Sequence, residues 1–193
     1  VTLLQVMPDD APDQVLLRTR DQARIADALR AHAVAFDRWP VRGPIAPGTA
    51  PDEVLARYRG EVDALQARDD LRLVDVAGLH PEESDAWRQK AATARATFLE
   101  EHRHAEAEVR FFAHGAGCFY LHLAEEVYAV VCEAGDLLSV PAGTPHWFDM
   151  GPRPEFTAIR FFAGEDGWVG DFTGDPISQR FPRLDALLAA DAA

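Results

Sequence analysis

The sequence predicts a mainly β protein with peripheral helices: an antiparallel sandwich or jelly-roll β-barrel with an N-terminal helical portion. Three observations lead there. Between residues 107 and 162, six short strand-like segments are separated by glycine- and proline-rich turns, the signature of an antiparallel jelly roll. Residues 1–100 instead follow a helical period over most of their length. Neither a repeat nor a long linker divides the 193 residues, so the expectation is one domain over 1–193, with a mostly helical portion (1–100) packed on a barrel core (101–175).

The elements follow in chain order. From Asp21 to His32, residues Ile25, Ala28, Leu29 and His32 share one helical face, and Asp21 is placed to cap its N-terminus. Val34 to Trp39 reads as extended. Pro44, Pro47, Gly43 and Gly48 make a loop. Pro51 opens a second helix carrying Val54, Leu55, Tyr58, Val62 and Leu65. Leu71–Val76 reads as a strand. Pro81 opens a third helix with Trp87, Ala91, Ala94 and Phe98. The barrel strands are expected at Ala107–Ala113, Cys118–Leu123, Glu126–Cys132, Asp136–Val140, Pro145–Asp149 and Phe156–Phe162.

The chain is acidic, with a formal net charge of −13 and only 19 lysines and arginines. Such a surface repels phosphate backbones, so nucleic acid and anionic membranes are not expected partners. The two cysteines, Cys118 and Cys132, lie in apolar strand-like runs and read as small buried hydrophobes. With no signal-like segment and no long apolar run, the expected compartment is the cytoplasm.

Four of the seven histidines, His102, His104, His114 and His122, lie within 21 residues. In a strand, side chains of equal parity share a face. One face can therefore present His102, His104, Glu108 and Arg110. Glu106 has the same parity, so spacing leaves the carboxylate open between Glu106 and Glu108. Imidazoles with a carboxylate suit Fe, Ni, Co, Mn or Zn. A solvated charged stretch is the competing reading of this string. His114 and His122, like His32 and His80, read as structural or surface residues.

A second string decides between them. Gly135, Pro141, Gly143 and His146 follow the first string at a fixed spacing, as Gly115 follows Glu108. The two patterns, in this order, resemble the two signature motifs of the cupin superfamily. That resemblance implies a jelly-roll barrel with His102, His104, Glu108 and His146 as ligands to one metal ion. The sequence departs from the motifs at Ala96 and Met150, where glycine and asparagine are expected. A closer resemblance, to the bacterial acireductone dioxygenase family, is carried by Glu101–His104, Glu108–Phe112, Gly115–Gly117, Ser139–Met150, Phe156–Arg160, Gly167-Trp168 and Phe172–Asp175. It spans nearly the whole chain and is compatible with Phe36–Trp39 in the helical portion.

The family resemblance implies an O2-dependent cleavage of an acireductone, an enediol beside a ketone, in methionine salvage. With Fe(II) it implies formate and the 2-keto acid precursor of methionine. With Ni(II) or Co(II) it implies formate, carbon monoxide and methylthiopropionate. Fe(II) or Ni(II), one per chain, and a monomer are what the family favours. A divalent ion with three neutral histidines and one carboxylate carries net +1, so a bound substrate dianion leaves about −1 in a low-dielectric barrel. Arg110 is the cation expected to offset it, and Arg160 a weaker second. Glu101 is expected to orient a ligand or assist metal loading. Phe112, Trp147, Phe148 and Trp168 are expected around a thioether tail. The rivals are a metal-dependent sugar-phosphate isomerase or epimerase, which needs several basic residues at the barrel mouth, and a non-catalytic small-molecule-binding cupin. The complete ligand set opposes the second.

Overall fold

In a computed structural model, residues 2–164 and 169–190 are described. The chain runs β1 (Leu3–Pro8), β2 (Leu17–Thr19), α1 (Gln22–Arg30), β3 (Ala35–Arg38), α2 (Pro51–Arg57), α3 (Arg59–Asp69), β4 (Leu73–Leu79), α4 (Asp85–Phe98), β5 (His102–Arg103) and β6 (Glu108–Leu123). It continues through β7 (Glu126–Glu133), β8 (Asp136–Val140), β9 (His146–Asp149), β10 (Phe156–Phe162), β11 (Asp171–Phe172), a 3₁₀ turn (Pro176–Gln179) and α5 (Leu184–Ala189). No helix among the described residues is long and apolar enough to cross a membrane.

All strand pairs are antiparallel, in two sheets that share β6. One runs β11-β5-β9-β6-β7-β1-β2; the other runs β3-β8-β6-β10-β4. The fold is the cupin-type jelly roll. Where two strands were expected, 107–113 and 118–123, a single 16-residue strand, β6, crosses from one sheet to the other. The crossing is at Gly115. Its φ is +68°, and a Cβ there would lie 1.8 Å from the Glu155 carbonyl oxygen, so only glycine fits. The β10 register also slips here: Thr157 pairs with His114 but Ala158 with Phe112. The bulge exchanges the inward and outward parity of β6. Phe112 lies in the interior cluster before it, and Phe119 and Leu121 after it.

The N-terminal hundred residues hold more strand than expected. Four strands, β1–β4, join the sheets beside the four helices. β1 lies between β7 and β2. Its run Leu3–Met7 is buried on both faces, so it lacks the alternation that marks a half-exposed strand. Asp21 caps α1 by accepting from the Arg24 N–H, and Ser84 caps α4 from Trp87. α4 therefore starts later than Pro81.

Three apolar clusters hold the layers. The barrel interior joins Leu4, Val6, Phe112, Phe119, Val130 and Phe156 to Ile25 and Leu29 of α1. α2 and α3 cover the outer face of one sheet, with Val54, Tyr58 and Leu65 on Phe111, Ile159 and Phe161. The C-terminal segment covers the other through Ile177, Phe181, Leu184 and Leu187 on Tyr120 and Trp147. Both outer faces are thus covered, and β5, β6 and β9 meet at the interior.

Candidate metal centre

His102 and His146 are cross-strand partners on β5 and β9, while Glu108 opens β6. Between β5 and β6, residues 104–107 leave the strand. That bend carries His104 to the same point and turns Glu106 away. Glu106 instead accepts hydrogen bonds from the Ala163 and Gly164 N–H groups (3.1 and 2.9 Å). The carboxylate left open by spacing is thus Glu108. One donor atom each from His102, His104, Glu108 and His146 lies within 4.8 Å of the others, and all four residues are at or near full burial. The ring centroids of His102 and His146 are 4.5 Å apart, and those of His102 and His104 are 5.1 Å apart.

The histidine tautomers are fixed by backbone carbonyls. His102 Nδ1 lies 2.7 Å from the Glu100 oxygen, His104 Nδ1 2.8 Å from Val169, and His146 Nδ1 2.8 Å from Thr144. A carbonyl only accepts, so each Nδ1 donates and each neutral ring keeps a bare Nε2 lone pair. His146 Nε2 is 2.6 Å and His104 Nε2 3.3 Å from Glu108 Oε2. Lone pairs converging on a carboxylate oxygen in a buried place call for a positive charge among them, a metal ion or the proton of an imidazolium. A divalent ion meets that requirement, and outer carbonyls of this kind commonly orient metal-bound imidazoles.

Charge follows the same arrangement. Arg110 Nη2 lies 2.8 Å from Glu108 Oε1, which leaves Oε2 for the histidine side. Burial opposes the Glu108 charge, but Arg110, His146 and contact with His104 hold its carboxyl well below the usual range. Burial, then the neighbouring His146, push the His102 imidazole down. Burial also works on His104, yet contact with Glu108 moves its imidazole up on balance. Arg110 is itself buried, which lowers its pKa, with Glu108 acting in the opposite sense.

Beside the centre lies a cavity of about 100 Å³. Glu108, Arg110 and Arg160 supply its polar end, and Phe112, Phe119, Phe148 and Phe156 most of its apolar wall. Arg110 and Arg160 face each other in register on β6 and β10, both against the Phe162 ring. Arg160 is also a fork to Asp75, with its Nε 2.7 Å from Oδ1.

Other expected residues lie elsewhere. Glu101 is buried but turned from the donors: it accepts from His122 Nδ1 (2.8 Å) and Thr173 Oγ1 (2.7 Å). Trp147 stacks on Tyr120 in the cluster outside the barrel, with centroids 5.1 Å apart, and does not line the cavity. Trp168 lies outside the described residues. His114 stacks on His80 at 5.4 Å, and His32 hydrogen-bonds Tyr128. Sequence reasoning missed Ala77, Phe98, Phe119, Met150, Phe156 and Ala158, which complete the cavity wall. It also missed the carbonyls of Glu100, Thr144 and Val169. A main-chain carbonyl leaves no mark in a sequence, and alanines in a strand read as filler.

The model of the ARD/ARD' family matches residues 3–170. The chain is 59% identical to an acireductone dioxygenase 2 of Nocardia farcinica, covering 98% of this chain and all of that protein. It is 54% identical to an acireductone dioxygenase of Frankia alni, over 97% and 91% of the two chains. A solved structure, acireductone dioxygenase from Bacillus anthracis with a cadmium ion in its active centre, superposes with a TM-score of 0.74 at 24% identity. It covers 89% of this chain and 99% of that one. At that identity the superposition speaks for the fold. The family model and the full-length relatives speak for descent: the chain belongs to the ARD/ARD' family.

Proposed function

We propose that this chain is an acireductone dioxygenase, holding one Fe(II) or Ni(II) on His102, His104, Glu108 and His146. The observation that carries the reading is the gathering, within 4.8 Å, of donor atoms from Glu108 and three imidazoles whose Nδ1 atoms rest on backbone carbonyls. An ion held by His102, His104, Glu108 and His146 would supply a Lewis-acidic centre for an enediolate. With Fe(II) the expected products are formate and the 2-keto acid. With Ni(II) they are formate, carbon monoxide and methylthiopropionate.

The protein groups have separate tasks. Arg110 holds Glu108 Oε1, so Glu108 turns one oxygen to the histidines. Its guanidinium also lines the cavity, where it offsets the charge of a substrate dianion and favours loss of the enediol proton. Arg160 adds positive potential one strand over, moderated by Asp75. Phe148 and its aromatic neighbours keep water from an oxygen-sensitive enediolate. Glu101 acts at a distance, by fixing His122 and Thr173 behind β5. The partners in this reading are the small acireductone and O2, and the working unit is a cytoplasmic monomer. A sugar-phosphate reading fits less well, since both cavity arginines already have carboxylate partners and the remaining wall is apolar.

Turnover with and without O2 tests the proposal. Metal-loaded protein should consume an acireductone only in the presence of O2 and release formate, with carbon monoxide from the Ni(II) form alone. Turnover of a sugar phosphate without O2, and none of the acireductone, would overturn it.

A further inference from the structure

The inner sheet face beside the metal centre is built in rows. Glu108 begins the β6 row positions. One step along, Arg110, Arg160 and Asp75 lie side by side across β6, β10 and β4. One step further, Phe112, Ala158 and Ala77 do the same. Each step is two residues, roughly 7 Å along a strand. The second row therefore holds one large side chain followed by two of the smallest. Protein interiors pack to nearly crystalline density, and a cavity of about 100 Å³ is an exception that needs a cause. The paired alanines are that cause: both line the cavity, and Ala158 is only 4% exposed. Phe98, at the end of α4 and 43% exposed, and Met150 complete this end.

The cavity is polar only at the arginine row. A molecule whose charged head sits by Glu108 and Arg110 must place its other end over the alanines. We propose that Ala77 and Ala158 determine which acireductones this chain accepts, because their short side chains form the floor of the recess that receives the tail. The recess suits an unbranched apolar or thioether tail of a few heavy atoms and excludes longer or branched ones. This inference rests on the function proposed above and adds to it the residues that set substrate choice.

A series of acireductones that differ by one methylene in the tail, given to metal-loaded protein at fixed O2, tests it. In the unaltered chain, kcat/KM should rise about fourfold for each methylene that enters the recess, then stop rising or fall when the floor is reached. Ala158→Leu fills the recess. It should reduce the ratio of kcat/KM between the preferred tail and a one-carbon tail by at least tenfold, mainly through KM, with metal content by elemental analysis unaltered. Ala158→Gly, which removes floor, should shift the optimum to a longer tail, and it answers the question if the leucine variant does not fold. A ratio and an optimum unmoved by both variants would overturn the inference and leave the enzyme reading intact. Failure of the unaltered chain to turn over any member of the series removes the enzyme reading, and the inference with it.

Discussion

At the scale of single residues, Arg110 and Glu108 form one charged unit beside the three histidines. Their 2.8 Å contact is almost fully buried, where a charge without a partner is costly. A bound divalent cation supplies the positive charge that Arg110→Ala removes, so this variant should retain metal. It should lose about 10²–10³-fold in kcat, the usual cost of one preorganised electrostatic group, with partial recovery in Arg110→Lys. Elemental analysis beside the turnover assay separates the outcomes: loss of metal from Arg110→Ala assigns the arginine a purely structural part. The same residues show how far a sequence can be read. Strand parity presented His102, His104 and Arg110 on one face, but it could not rank Glu108 over Glu106. The chain bends at 104–107, and parity does not carry through a bend. Glu106 is drawn off by two backbone N–H groups from a segment 57 residues away, which no local pattern reveals.

At the scale of elements, Asp149 at the end of β9 ties three parts of the molecule together. It is fully buried, receives Arg95 of α4 at 2.8 Å, and accepts the N–H groups of Gly151 and of Leu184 at the start of α5. Burial opposes its charge, but Arg95 and the two N–H donors outweigh burial and lower its pKa. A carboxylate with a depressed folded-state pKa stabilises the fold above its unfolded value, near 4. That contribution is lost as pH falls through the lower folded value. Asp149→Asn should cost about 3 kcal/mol at neutral pH, and its deficit should shrink on acidification below about pH 4, as the unaltered protein loses the same contribution. Denaturant titrations at neutral pH and in that acid range check this; a deficit independent of pH would contradict it. Elements were legible where their pattern was regular. α1, β7, β8 and β10 lie close to their expected positions. β1 was invisible because both its faces are buried, and β6 was read as two strands because Gly115-Ala116-Gly117 has the composition of a turn. It is a bend at which one strand changes sheets.

At the scale of the whole molecule, the acidic chain concentrates its unusual chemistry at one end of the barrel. The whole chain carries a net charge of −13, yet the cavity wall holds two arginines and one carboxylate. The cavity thus offers positive charge to a small anion inside an otherwise acidic molecule. The fold class and the four donors were legible from the two motif strings. The recess was not, because it arises from alanines brought side by side from strands 81 residues apart in sequence. In the function proposed above, these four side chains hold one metal ion on which O2-dependent turnover depends. The direct measurement is elemental analysis with O2 uptake, made on the unaltered protein and on His104→Ala. About one iron or nickel per chain and acireductone-dependent O2 uptake are expected, both falling at least tenfold in the variant. Full metal content and unchanged O2 uptake in His104→Ala would contradict it.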